Sequence, residues 1–213
     1  MTLSNAPYDR LKGLYAITDD QLIAESEFNR AVESALQGGA SIIQYRDKSD
    51  NLQKRLQQAN SLRSLCERYQ AILIINDDIE LAKAVDAHGV HLGKNDTSIS
   101  SARQILGDDA IIGISCYNNI ELAISAEKNT ASYVAFGAMF SSPTKPDAIN
   151  ADLDIISIAK QQLSIPVCAI GGINNENINL LIQQGTDMAA VISSLFATDD
   201  IKNTAAMFSQ HFI

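Results

Sequence analysis

The stretch QYRDK carries a neutral amide at Gln44 and cations at Arg46 and Lys48. Alternate residues of an extended chain point the same way. An amide, a guanidinium and an ammonium on one side suit phosphate oxygens, and the guanidinium can grip two at once. A solvated strand edge with ordinary charges would read the same, because Q-x-R-x-K is short. Two further stretches, INDD and HLGKND, supply Asn76, Asp77, Asp78 and Asp96. Carboxylates from two loops are hard oxygen ligands of the kind Mg2+ accepts, with water and substrate phosphate completing its shell. The same aspartates could instead cap the helices that IELAKAV and SISSARQ announce.

Other candidates are smaller. In FGAMFSSPTKPDA an apolar run breaks into Ser142, Pro143, Thr144 and Lys145, which is either a plain surface turn or a loop that holds an anion. IGGIN ends in Gly171 and Gly172, and VISSLF contains Ile192 and Ser193. Glycine there allows backbone N–H groups to approach a phosphate, or merely allows a tight turn. Ser115 closes GISCY, and His88 and His91 flank a Gly-Val pair. No third ligand of matching character accompanies the histidines, so zinc is not expected. His91 reads as an inward or packing residue.

These residues share a position in the pattern. Short apolar runs recur at 14–18, 41–46, 71–76, 89–93, 111–115, 133–140, 166–172 and 188–193. Most are continuous rather than alternating, as in parallel strands covered on both faces. Segments of helical spacing lie between them, from FNRAVESALQGG to a last helix at about 199–212. Alternation of this kind implies right-handed βαβ units. Eight of them predict an α/β fold, a single (β/α)8 TIM barrel over residues 1–213, with residues 1–10 a short N-terminal extension. An open doubly wound sheet is the runner-up, but no GxGxxG follows the first strand. The candidates above, the two histidines aside, fall at or near the C-terminal end of a strand, where barrels of this type keep their sites.

Composition limits the partners. The chain has 213 residues, 46% hydrophobic and 19% charged, with a net charge of -9. That argues against nucleic acid and anionic membranes, which need a dense basic face. It leaves room for an anionic small molecule in a locally cationic cleft. Cys66, Cys116 and Cys168 are far apart with apolar neighbours and read as reduced core thiols. MTLSNAPYDR shows no secretory pattern, and no apolar run spans a bilayer, so a cytoplasmic protein is expected.

Taken in order, QYRDK, LIINDDIELA, GVHLGKND, GISCYN, FGAMFSSPTKPDA, VCAIGGIN and AAVIS closely resemble the thiamine-phosphate synthase family, also called thiamine-phosphate pyrophosphorylase. The resemblance runs from GLYAITDD to AAVISSLF. It implies coupling of 4-amino-2-methyl-5-hydroxymethylpyrimidine diphosphate to a thiazole monophosphate, with release of pyrophosphate. It implies that the segment Gln44, Tyr45, Arg46, Asp47 and Lys48 binds the pyrimidine diphosphate together with Asn76. Asp77 and Asp96 would hold Mg2+, and Ser115 would contact the pyrimidine. Ser142, Pro143, Thr144 and Lys145 would reach the pyrophosphate and the thiazole substrate, and Gly172, Ile192 and Ser193 would cradle the thiazole phosphate. Arg46, Lys48 and Lys145 would be the catalytic cations.

The chain departs from the family in two places. Lys94 stands where relatives usually have glutamine, and Ser142-Pro143-Thr144-Lys145 stands where many read T-x-T-K. Serine keeps the hydroxyl. A relative that isomerises the thiazole precursor should lack part of the cation, aspartate and T-K set, which this chain retains. A non-catalytic sensor would not need a metal-assisted leaving-group site. An aldolase would want a lysine inside a strand. Oligomeric state stays open, a homo-oligomer included.

Overall fold

The computed structural model describes residues 10–93, 96–141 and 151–212. Eight parallel strands close into a barrel in chain order: β1 (Gly13–Ile17), β2 (Ile42–Tyr45), β3 (Ile72–Asn76), β4 (Gly89–Leu92), β5 (Ile111–Tyr117), β6 (Tyr133–Phe136), β7 (Val167–Ile170) and β8 (Met188–Val191). Each strand pairs with the next, and β8 returns to β1 through Gly13 opposite Met188. Closure removes the free edges of the sheet.

Among the described residues, helices follow the strands: α1 (Phe28–Gln37), α2 (Leu52–Arg68), α3 (Ile79–Ala84), α4 (Ile99–Leu106), α5 (Ile120–Lys128), α6 (Asp154–Gln162), α7 (Ile178–Gln183), α8 (Ser193–Phe196) and α9 (Ile201–Ser209). Side-chain caps start five of them. Asn51, Asp78, Ser98, Asn119 and Asp200 each accept a hydrogen bond from a backbone N–H in the first turn. Such caps are each worth about 1 kcal/mol.

Period-two alternation sorts the strand residues into two cores. Tyr15, Ile42, Ile72, Ile74, Tyr133 and Met188 fill the barrel interior. Ile43, Tyr45, Leu73, Ile75 and Val134 face outward and pack with helix residues such as Val32, Leu62, Ile156 and Phe208. The chain is apolar on both faces of its strands because both faces are covered.

Two boundaries differ from the sequence reading. The run expected to continue to residue 140 leaves the barrel after Phe136. Met139 and Phe140 then donate to the carbonyls of Ile170 and Gly171, so this segment folds toward the end of β7. A short helix, α8, also follows β8 directly. Leu195 and Phe196 N–H groups both bond to the Ile192 carbonyl and turn the chain before α9 begins.

The barrel wall is tight where β4 meets β5. A Cβ placed on Gly89 would lie 1.8 Å from the Ile111 carbonyl oxygen, which is backbone and cannot swing away. Gly89→Ala should therefore destabilise the fold by about 3 kcal/mol, the upper end of ordinary overpacking. Urea unfolding of the two proteins measures it, and a midpoint unchanged from wild type would count against the tight contact.

Candidate active site

At the C-terminal end of β2, Gln44 points into the barrel and Arg46 and Lys48 extend past the strand. Arg46 is fixed from β1. Its backbone N–H donates to Thr18 Oγ1 at 2.9 Å, and Thr18 Oγ1 in turn donates to the Arg46 carbonyl at 3.2 Å. Its guanidinium meets Asp19 Oδ2 at 3.1 Å. Lys48 Nζ reaches Asp77 Oδ2 at 2.6 Å, and Asn76 Nδ2 donates to the same oxygen at 2.6 Å. One carboxylate thus gathers a cation and an amide from two strands at the mouth.

Tyr45 and Asp47 do not join this group with their side chains. Tyr45 points outward, donates to Gln58 Oε1 at 2.9 Å and meets Phe28 edge-on. Asp47 is buried, pairs with Lys54 Nζ of α2 at 2.8 Å and accepts from Ser49 N–H at 2.7 Å. Burial pushes its carboxyl up, and the bonds to Lys54 and Ser49 outweigh that and hold it low. Its side chain anchors α2.

The choice between cap and ligand resolves residue by residue. Asp78 caps α3 through Leu81 N–H and pairs with Arg55 at 2.6 Å. Asp77 sits beside it in the left-handed region, at φ 63°, and takes no part in the cap. Ser98, not Asp96, caps α4. Asp96 instead turns back on the β4 loop and accepts from Gly93 N–H at 2.6 Å. Since Asn76 pairs with His91 across β3 and β4, the two aspartates belong to adjacent strand ends.

That donor set fits Mg2+. No group of three or more histidine, cysteine, aspartate or glutamate residues able to hold a metal occurs among the described residues. Mg2+ does not need one: it binds through one or two carboxylates and takes the rest from water and phosphate. Asp77 and Asp96 are the residues that would hold it.

Ser115 lies on β5, where the pairing with β6 slips between Ser115 and Tyr117. Bulges of this kind often re-aim side chains beside sites. Its Oγ lies 2.9 Å from His91 Nε2. His91 is the inward residue expected; burial lowers its pKa to about 4, so the ring is neutral. His88 is at the other end of β4, where its Nδ1 accepts from Leu73 N–H at 3.0 Å.

On the opposite side, the loops after β7 and β8 enclose a cavity of about 360 Å3 lined by Ser141, Gly171, Gly172, Asn174, Ile192 and Ser193. Gly172 has φ +63°, and a Cβ on it would lie 2.5 Å from the Ser141 carbonyl oxygen. Asn177 Nδ2 holds the Gly172 carbonyl at 2.9 Å, and Ser194 Oγ bonds the Ile173 carbonyl. The first turn of α8 has no side-chain cap, so its N-terminus opens toward solvent or an anion. Loops after strands seven and eight, with a short extra helix, are a recurrent phosphate site of this barrel. Ser142, Pro143, Thr144, Lys145 and Lys94 lie outside the described residues.

Thr18 and Asp19, which orient Arg46, were not among the sequence candidates. Thr18 closes the first apolar run and Asp19 directly follows it, so the end of the first strand points to both.

Comparison with known proteins identifies the family and its fold. The family described as thiamine monophosphate synthase matches residues 14–195. The chain belongs to that family. It is 52% identical over 202 residues to the thiamine-phosphate synthase of Nitrosococcus oceani, covering 95% of this chain and 93% of that protein. The thiamine-phosphate synthase of Thioalkalivibrio sulfidiphilus is 50% identical over 204 residues, covering 94% of this chain and 97% of its own. The solved thiamine phosphate pyrophosphorylase of Pyrococcus furiosus superposes with a TM-score of 0.87 at 35% identity, covering 96% of each chain.

Proposed function

We propose that this protein is a thiamine-phosphate synthase, a transferase that joins the pyrimidine diphosphate to the thiazole monophosphate, or its carboxylated form, and releases pyrophosphate. The observation that carries the reading is the convergence of Lys48 and Asn76 on Asp77, beside an Arg46 fixed by Asp19, at the barrel end that also bears the Gly172–Ser193 cavity. One side supplies charge for a diphosphate, the other close backbone approach for a monophosphate.

The bond that breaks joins the pyrimidine methylene carbon to a diphosphate oxygen. The diphosphate departs with the electron pair, and the ring amino group stabilises the methylene cation left behind. The thiazole nitrogen then donates its lone pair to that carbon. With the uncarboxylated thiazole no proton moves, so no general base is required; the carboxylated form would also lose CO2 and take up one proton on the ring carbon that carried it. Arg46 and Lys48 hold the departing oxygens and neutralise the charge that grows on them, the kind of preorganised stabilisation that usually dominates an active site. Asp19 and Asp77 hold the two cations in place before substrate arrives. Lys145, with Ser142, Pro143 and Thr144, would complete the anion site from the β6 loop. Gln44, Asn76 and Ser115 orient the pyrimidine diphosphate, and Gly172, Ile192 and Ser193 the thiazole phosphate. When bound to Asp77 and Asp96, Mg2+ supplies Lewis-acid neutralisation of the diphosphate.

We read the whole chain as one catalytic barrel in the cytoplasm. Its three cysteines are free and buried, as suits a reducing compartment. No helix among the described residues is long and apolar enough to cross a membrane.

Pyrophosphate release with both substrates and Mg2+ tests the reading. It should require both substrates and yield thiamine phosphate. Arg46→Ala should lower kcat/KM by roughly 10²-fold. Arg46→Lys should recover only part, because an ammonium keeps the charge and loses the fork. Folded wild-type protein that makes no product would overturn the assignment.

A further inference from the structure

Five side chains from five strands form a single file of hydrogen bonds through the barrel interior. Gln44 Nε2 donates to Tyr15 Oη at 2.7 Å. Tyr15 Oη and Tyr133 Oη are 2.7 Å apart. Tyr133 Oη lies 2.9 Å from His91 Nδ1, and His91 Nε2 lies 2.9 Å from Ser115 Oγ. The His91 and Tyr133 rings also stack, with centroids 5.6 Å apart. The file starts and ends on residues of the candidate site, yet its three middle members touch neither the cations nor the aspartate carboxylates described above.

Bond counting gives the file a direction. The Tyr15 oxygen accepts from the Gln44 amide, so its own proton goes to Tyr133. A buried hydroxyl proton left without an acceptor would cost about 1–3 kcal/mol. The Tyr133 proton then goes to His91 Nδ1. A neutral imidazole that accepts at Nδ1 carries its proton on Nε2. That N–H donates to Ser115 Oγ, and the serine proton is left to point into the mouth. If the Gln44 carbonyl faced Tyr15 instead, every bond would reverse and Ser115 would turn its proton inward, onto His91.

We propose that Tyr15, Tyr133 and His91 are positioning residues that transmit the orientation of the Gln44 amide to Ser115, so that Ser115 meets the substrate as a hydrogen-bond donor. A donor at that point complements an unprotonated ring nitrogen of a pyrimidine. From the functional reading the proposal takes only that Ser115 faces this ring.

The test reads the tautomer of His91 by 15N spectroscopy of the imidazole nitrogens, which needs no activity. The chain has three histidines, and His88 is an internal control, fixed as the Nε2–H form by the Leu73 N–H on its Nδ1. Wild-type His91 is expected as Nε2–H; an Nδ1–H form overturns the proposal. Gln44→Glu examined at a pH of about 10, above the roughly 8–9 reached by buried glutamates, presents an acceptor-only carboxylate. Tyr15 and Tyr133 stay protonated there, because burial holds both hydroxyls well above their ordinary value. The file should then reverse and His91 should change to Nδ1–H, while His88 does not. Adding Tyr133→Phe should block the change. A native amide spectrum with His91 unchanged in Gln44→Glu overturns the proposal.

If Gln44→Glu does not fold, Tyr133→Phe alone decides. Its kcat should fall about tenfold, the worth of one well-placed hydrogen bond, with KM for the pyrimidine diphosphate within about twofold. An unchanged kcat overturns the proposal. Wild-type protein without synthase activity removes the functional reading but leaves the tautomer result standing, so the two failures are distinct.

Discussion

Asp77→Ala should lower kcat/KM by roughly 10³-fold, the upper end of losses seen when one electrostatic contributor is removed. Three effects act together. Lys48 and Asn76 lose the oxygen on which both converge at 2.6 Å. The pair of carboxylates from β3 and β4 is halved, so more Mg2+ should be needed for half-maximal rate. Alanine also takes over a backbone at φ 63°, a region that aspartate tolerates better than most residues. Asp77→Asn separates these effects, since it keeps the backbone preference and the size but loses the charge. Steady-state kinetics over a range of Mg2+ concentrations, with thermal unfolding as a check on the fold, measures them. Activity within tenfold of wild type at an unaltered Mg2+ requirement would remove Asp77 from the metal and leaving-group site.

Gly172→Ala should raise KM for the thiazole phosphate by roughly 10²-fold while KM for the pyrimidine diphosphate changes little. A non-glycine residue held at φ +63° costs about 1–3 kcal/mol. The new methyl would also lie 2.5 Å from the Ser141 oxygen and 2.6 Å from the Phe140 oxygen, so the β6 and β7 loops must separate. Both effects fall on the cavity and on the Asn177 bond to Gly172, not on the β2 and β3 ends. Separate KM values for the two substrates check this. Equal effects on both would show that the two sides of the mouth are not independent.

The fold was legible because both faces of the strands are covered, so apolar runs mark the strands, although the sixth run extends past the end of its strand at Phe136. Reading the site was harder for a definite reason. QYRDK shows five polar or aromatic residues in a row, but alternation sends Tyr45 and Asp47 to the helix layer and leaves Gln44, Arg46 and Lys48 at the mouth. The alternation principle contained the direction of these side chains, and the family resemblance, which carries over the whole segment, does not address it. INDD posed the opposite problem. Whether Asp77 or Asp78 caps α3 depends on one backbone dihedral, and composition does not set it. Asp19 and the inner tyrosines were overlooked because their partners lie far away in the chain: Asp19 meets Arg46, and Tyr15 meets Tyr133, across the closed sheet.

The filled interior has one more consequence. Tyr15, Tyr133, Ile72 and Met188 are almost fully shielded from solvent. A barrel stoppered in this way is a cup rather than a tube. Two substrates and two products must share a single opening, so a molecule seated deeper waits for whatever lies above it. Arrival and departure become a queue. The opposite face is outside that traffic, and it is where a surface, tether or label can be attached without closing the door.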